Sequence, residues 1–186
     1  MRYELLTPET APDNAGSLLN GVQAKMGGLL PNLYRQMAGT PIVLEAYLML
    51  TDLLSRSSFS PAEQQLILLT ASARNGCLYC VAAHSSGGRM AKLDKEVIEA
   101  VRTGTTAPDA RLEALRHFTE HMIERRGKAD DAEIAAFVDA GFTEQQVVEL
   151  LVGLAMKTLS NSFSRLAGTP LDDFLSRMAW DGNDRV

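Results

Sequence analysis

A chain of 186 residues, 46% hydrophobic and 22% charged, has the composition of an ordinary globular protein. At this length it buries roughly 70% of its unfolded surface and needs neither a disulfide nor a metal to hold a core. Its net charge of −5, with no cluster of Lys and Arg, excludes a nucleic-acid surface. The absence of any apolar run of about 18 residues excludes a transmembrane helix.

Met1-Arg2-Tyr3-Glu4-Leu5-Leu6-Thr7-Pro8 lacks the apolar centre of a signal peptide, so a cytoplasmic protein is expected. Residues 1–13 read as an irregular lead-in with Pro8 and Pro12. A helix is predicted over residues 15–26, ended by Gly27-Gly28, and a short one over 32–38. Pro41 opens an apolar helix over 42–54, whose Leu44, Tyr47, Leu48, Leu50 and Leu54 are too many for a solvent-facing element and suit core or a subunit interface. Ser60, Pro61 and Glu63 form a strong start signal for a helix over 61–74. Asn75-Gly76 stops it, and a second helix is predicted over 77–92, with Gly87-Gly88 as its weak point. Further helices are predicted over 94–102, 109–126, 134–140 and 145–160, with capping patterns at Asp130/Glu133 and Thr143/Gln146. Thr169-Pro170 opens a last helix to about residue 179. No segment alternates with a period of two. The expected fold class is all-α, a compact helical bundle of one domain over 1–186. Within it, 1–58 is an N-terminal helical segment, 59–104 a helical hairpin and 105–186 the C-terminal helices.

The chemistry concentrates in Asn75-Gly76-Cys77-Leu78-Tyr79-Cys80-Val81-Ala82-Ala83-His84, which holds both cysteines and one of three histidines. On a helix, Cys77, Cys80 and His84 fall within roughly 60° of one another. The preceding tight turn makes the two helices antiparallel and lays Gln65 near His84 to Ser86, while Glu63, about 200° around the wheel, serves its own cap. A thiol at a helix N-terminus beside an imidazole is biased toward thiolate, which attacks the O–O bond of a peroxide. A second thiol three residues away then closes a disulfide. Buried structural cysteines are the bland alternative, and zinc another. The motif supplies three ligands, all on one helix face, and His117 or His121 could supply a fourth. His117 and His121 otherwise read as part of a solvated face with Glu113, Glu120 and Glu124. Tyr79 points away from the cysteine face, into packing.

This run, with Ser60-Pro61-Ala62-Glu63 before it, resembles the AhpD-like/carboxymuconolactone decarboxylase family, in particular its alkylhydroperoxidase (peroxidase-related) branch. So do Leu30-Pro31-Asn32-Leu33-Tyr34, Thr40-Pro41, Ala46-Tyr47 and the tail Asn161 with Leu166-Ala167-Gly168-Thr169-Pro170-Leu171-Asp172. The resemblance implies an all-helical trimer or hexamer that reduces organic hydroperoxides, needs no cofactor or metal, and is reset by an external dithiol of lipoyl or thioredoxin type. It implies Cys80 as the attacking thiol, Cys77 as the resolving one and His84 in the proton relay. The chain departs from the pattern twice. Gln65 stands where the family's relay glutamate is, and Tyr79 replaces a histidine between the cysteines. On the sequence alone Gln65 orients His84, and Gln65→Glu is expected to raise the rate. Two other functions fit the same residues: a muconolactone-type decarboxylase, which needs no dithiol, and a non-catalytic redox-sensing helical oligomer.

Overall fold

The computed structural model describes residues 3–182. Among them are nine α-helices and no strand: α1 (Ala15–Lys25), α2 (Asn32–Met37), α3 (Pro41–Ser55), α4 (Pro61–Arg74), α5 (Leu78–Met90), α6 (Lys95–Thr103), α7 (Ala110–Glu124), α8 (Asp131–Asp139) and α9 (Glu144–Ala167). A 3-10 helix, Asp173–Met178, follows. None of these helices is long and apolar enough to cross a membrane.

Helix α4 is the axis of the bundle. Every residue from Leu66 to Ala73 is buried, and the helix packs on α3, α5, α6, α7 and α9. A helix apolar on all sides has to be surrounded in this way. Its ends are fixed locally. Ser60 Oγ accepts from the Glu63 amide at 3.3 Å, the Glu63 carboxylate accepts from the Ser60 amide at 2.7 Å, and Pro61 occupies the first turn. At the other end Asn75 caps, and Gly76 takes a φ of +64°, a conformation that costs glycine nothing and lets the chain reverse into α5.

Two apolar clusters flank α4. The first joins α4 to α6, α7 and α8 and contains a run of stacked rings. Phe137 lies 4.4 Å from both Phe118 and Phe142, and the Arg111 guanidinium lies 3.9 Å above Phe142. The second joins α1, α2 and α3 to the start of α5 and includes Tyr47, Cys77, Tyr79 and Cys80. Helix α9 spans both, giving Leu150 to the first and Met156 and Phe163 to the second. It lies close to α4 because residue 153 is glycine: a Cβ there would meet Ile67 Cγ2 at 2.9 Å.

Three elements differ from the sequence reading. Helix α9 continues seven residues past 160, through Ser160-Asn161-Ser162, because Ser160 and Asn161 are buried in the bundle rather than looped out. Ser160 Oγ satisfies itself on the Met156 carbonyl at 2.9 Å. Helix α5 does not weaken at Gly87-Gly88 but runs through to Met90. Both glycines serve close packing, Gly87 against the Gln65 side chain and Gly88 against Ile98 and Leu93. The last helix is only a 3-10 turn that starts at Asp173. The stretch before it is held extended by Asp172, whose carboxylate accepts from the Asn32 amide at 3.0 Å and the Tyr79 hydroxyl at 2.7 Å.

Candidate active site

The hairpin brings four sequence-predicted residues together. Cys77 caps the N-terminus of α5, its amide donating to the Ser72 carbonyl at 3.0 Å and its carbonyl accepting from Val81 at 2.9 Å. Cys80 follows in the first turn. Both are free thiols, each 1% exposed, one helical turn apart and close enough for each to shift the other's titration. One turn further along, half-buried His84 meets Gln65, with Nδ1 3.1 Å from Gln65 Oε1. Gln65, not Glu63, is therefore the α4 residue at the site. Glu63 is occupied by its cap and by an ion pair with Arg111. Gly87 makes the Gln65 position possible, because a Cβ there would lie 2.6 Å from Gln65 Oε1.

Helix α9 completes the site from the far end of the chain. Lys157, 1% exposed, places Nζ 2.8 Å from His84 Nε2, near enough to Cys80 for its charge to act on that thiol. Two turns on, Ser164 contacts Cys77. Asn161, between them, is 2% exposed, and neither polar atom of its amide has a hydrogen-bond partner. Beyond Asn161, a polar cavity of about 380 Å³ lined by Arg74, Asn75, Thr158, Ser162 and Arg165 adjoins the turn into Cys77. The sequence reading missed Lys157, Asn161 and Ser164. The available signal was a polar stripe at positions 157, 160, 161 and 164, one helix face of an otherwise apolar segment.

The electrostatics follow from these contacts. The Cys80 thiol, then the Cys80 amide, the Ser164 hydroxyl and the Lys157 charge, hold Cys77 below an ordinary thiol, down to about 6, against the upward push of burial. Cys77 makes no geometrically complete cap bond to that amide, so this contribution is one of field rather than of a formed hydrogen bond. Cys80, bearing the shared proton and buried, is pushed up, and Lys157 acts in the opposite direction. The pair thus holds one proton between two sulfurs and titrates as a unit. Burial first, and the Lys157 charge second, keep His84 well below the usual imidazole range, so it is neutral at pH 7. Its tautomer is fixed from both sides. An amide oxygen only accepts and an ammonium only donates, so Nδ1 carries the proton and the Nε2 lone pair faces Lys157.

Other candidates lie elsewhere. Tyr79 packs in the core with its hydroxyl on Asp172. Both His84 nitrogens are engaged by Gln65 and Lys157, so the expected zinc rival finds no ring lone pair turned toward the thiols. Among the described residues no group of three His, Cys, Asp or Glu is arranged around a common metal position. His117 is exposed, as a solvated face requires. His121 departs from that expectation: its side chain is 22% exposed and Nε2 lies 2.9 Å from Glu133, while Glu113 is buried against Arg116. Tyr47 is 4% exposed, with its ring 5.4 Å from Tyr34, and it feels the charge of Cys80.

Residues 43–121 match the model of the carboxymuconolactone decarboxylase family. No curated protein sequence matches the chain. Among solved structures, the chain is similar to an alkylhydroperoxidase AhpD core, an uncharacterized peroxidase-related protein from Ralstonia eutropha JMP134. The TM-score is 0.83 at 25% identity, over 94% of this chain and 93% of that one. It also resembles an uncharacterized peroxidase-related protein from Silicibacter sp. TM1040, with TM-score 0.79 at 20% identity over 94% and 92% of the two chains. A third similar fold is the debrominase Bmp8, solved as a cysteine-to-alanine variant with 2,3,4-tribromopyrrole, with TM-score 0.71 at 14% identity over 87% of each chain. The chain thus carries a sequence match to the carboxymuconolactone decarboxylase family over residues 43–121, on an AhpD-like fold shared over nearly its whole length.

Proposed function

We propose that the protein is a thiol peroxidase that reduces organic hydroperoxides through a Cys77/Cys80 dithiol–disulfide cycle. The observation that carries this reading is the pair of free, buried, adjacent thiols beside the buried Lys157 cation. The peroxidase-related description of the Ralstonia neighbour supports it.

In the resting pair the proton is held mainly by Cys80. When it passes across the sulfur–sulfur contact to Cys77, the Cys80 thiolate is left facing Lys157. Cys80 then attacks the distal peroxide oxygen. An S–O bond forms, the O–O bond breaks, and Cys80 becomes a sulfenic acid as the peroxide is reduced to an alcohol. Cys77 attacks the Cys80 sulfur, forms the disulfide and releases water. An external dithiol, of lipoyl or thioredoxin type, returns both electrons by exchange. Exposed Ile42, Met49 and Leu53 share one face of α3, and exposed Val148 and Leu151 lie on α9, which packs against it. This apolar face suits the subunit contact of a homo-oligomer, a trimer or hexamer. A cytoplasmic location would keep the dithiol reduced.

The test is intact mass with thiol alkylation, before and after one equivalent of tert-butyl hydroperoxide and again after dihydrolipoamide. The expected result is loss of two alkylatable thiols, their recovery by the dithiol, and no turnover in Cys80→Ser. Thiols unchanged by peroxide would overturn the reading. A second reading, a stoichiometric redox sensor, draws on the near-complete burial of both sulfurs. It predicts one disulfide per chain and no multiple turnover with excess peroxide and dithiol.

A further inference from the structure

We propose that Lys157 is the proton donor of this site, and that Gln65 and Lys157 form a matched pair in which a neutral amide at 65 leaves the lysine charge free for the sulfur. The inference deepens the thiol-peroxidase reading and rests on it. Breaking the O–O bond expels an alkoxide, which must gain a proton as it leaves. The polar side chains gathered at the site are Lys157 and Ser164 from α9, Tyr47 from α3 and Tyr79 from α5, which act on the thiols, with His84 from α5 and Gln65 from α4 behind Lys157. Gln65 has no acidic proton. The ring proton of His84 is on Nδ1, directed at Gln65, and its other nitrogen accepts from Lys157. Tyr79 donates to Asp172, and burial pushes Tyr47 well above the ordinary phenol range. Lys157 remains. It is buried, lies 2.8 Å from His84 Nε2, acts on the Cys80 thiol through its charge, and has no carboxylate within ion-pair distance among the described residues.

The proton count closes. A resting site with one thiolate, one thiol and one ammonium reacts with ROOH. Lys157 gives a proton to the departing alkoxide to form ROH, and Cys80 becomes the sulfenic acid. The Cys77 thiol proton then leaves with the hydroxyl of that acid as water when the disulfide forms. The site is left neutral, with a free amine at 157. The external dithiol restores two thiols, one of which protonates Lys157 and regenerates the ammonium–thiolate pair. His84 holds the amine in place throughout, its lone pair kept on Nε2 by Gln65. A carboxylate at 65 would instead favour imidazolium, remove that lone pair and draw the lysine charge away from sulfur. On this proposal the sign expected from the sequence for Gln65→Glu is reversed.

The experiment measures two quantities on wild type, Lys157→Met, Lys157→Arg and Gln65→Glu. One is the single-turnover rate of thiol loss with tert-butyl hydroperoxide. The other is thiolate absorbance against pH, which needs no peroxide chemistry. Lys157→Met is expected to slow the reaction about 100-fold at pH 7, the scale of a lost general acid, and to move the thiolate midpoint up only part of the way to a free thiol, because the Cys80 contact remains. Lys157→Arg keeps the low midpoint but not the rate, because a guanidinium does not release its proton. Gln65→Glu is expected to be slower than wild type. A Lys157→Met protein that folds, with rate and midpoint unchanged, would overturn the inference, as would a faster Gln65→Glu. If wild type itself fails to react with peroxide, the peroxidase reading fails. The thiolate titration still reports separately whether Lys157 holds the charge of the pair.

Discussion

Two basic side chains are buried in the described residues, and they are set in opposite ways. Arg116 on α7, 5% exposed, lies between carboxylates, with Glu113 at 2.5 and 2.8 Å and Glu120 at 3.0 Å. Lys157 on α9, 1% exposed, faces an imidazole and a thiol. In the half built from α6, α7 and α8, every buried cation is matched by anions and stacked rings fill the rest. In the half that carries the dithiol, the only anion for the buried cation is one the site must make from its own sulfur. The first arrangement is closed and inert. The second couples a charge to a bond that breaks and forms, and so can do chemistry.

That contrast can be broken from either side. The largest effect is expected at Arg116→Met, which strands Glu113 and Glu120 without their partner and should cost about 3–5 kcal/mol in urea unfolding. The thiolate midpoint should not move; if it does, the two halves are not independent. Lys157→Met strands no carboxylate, so its stability should stay within about 1 kcal/mol of wild type while its thiol chemistry changes. A loss as large as that of Arg116→Met would remove the distinction. Gly153→Ala comes next. The new Cβ would press on Ile67, cost about 1–3 kcal/mol and tilt α9 away from α4, raising the thiolate midpoint by moving Lys157. A smaller effect is expected at Gly87→Ala, which pushes the Gln65 amide off His84, should leave unfolding nearly unchanged, and should slow peroxide reduction severalfold.

The pH dependence sharpens the same comparison. His84 is depressed in the folded state, so the unfolded chain binds the extra proton first, and stability falls as pH drops below about 6.5. Cys77, also depressed, adds stability above the ordinary thiol range that is lost as pH falls toward about 6, and Cys80, which is raised, acts in the opposite sense. Alkylation by iodoacetamide should therefore rise around pH 6 rather than near ~8.5. A midpoint near the ordinary value would mean that the two thiols do not share their charge as the Cys80 contact implies.

Much of this was local and hence legible. Ser60, Pro61 and Glu63 start α4 and Asn75-Gly76 ends it because caps and turns are decided by atoms a few residues apart. The same short reversal forces Gln65 opposite His84, so half of the site is written into twenty residues of chain. The family resemblance was carried by that stretch together with its flanks at 30–47 and 161–172. What was misread has a common cause. Ser160-Asn161-Ser162 has the composition of a break, and Gly87-Gly88 that of a weak point. Each is helical because burial and a neighbouring helix favour the backbone bonds that local propensity disfavours.

The sequence by itself determined an all-helical chain and a dithiol with a histidine and a glutamine aligned beside it, because helix periodicity and one tight turn set those relations. Only the tertiary structure decided which charge the dithiol meets. Lys157 lies 73 residues from His84, and its approach depends on a glycine at 153 that lets α9 close on α4. No local pattern encodes a contact across that distance; it exists only where packing of the whole core brings the two helices together.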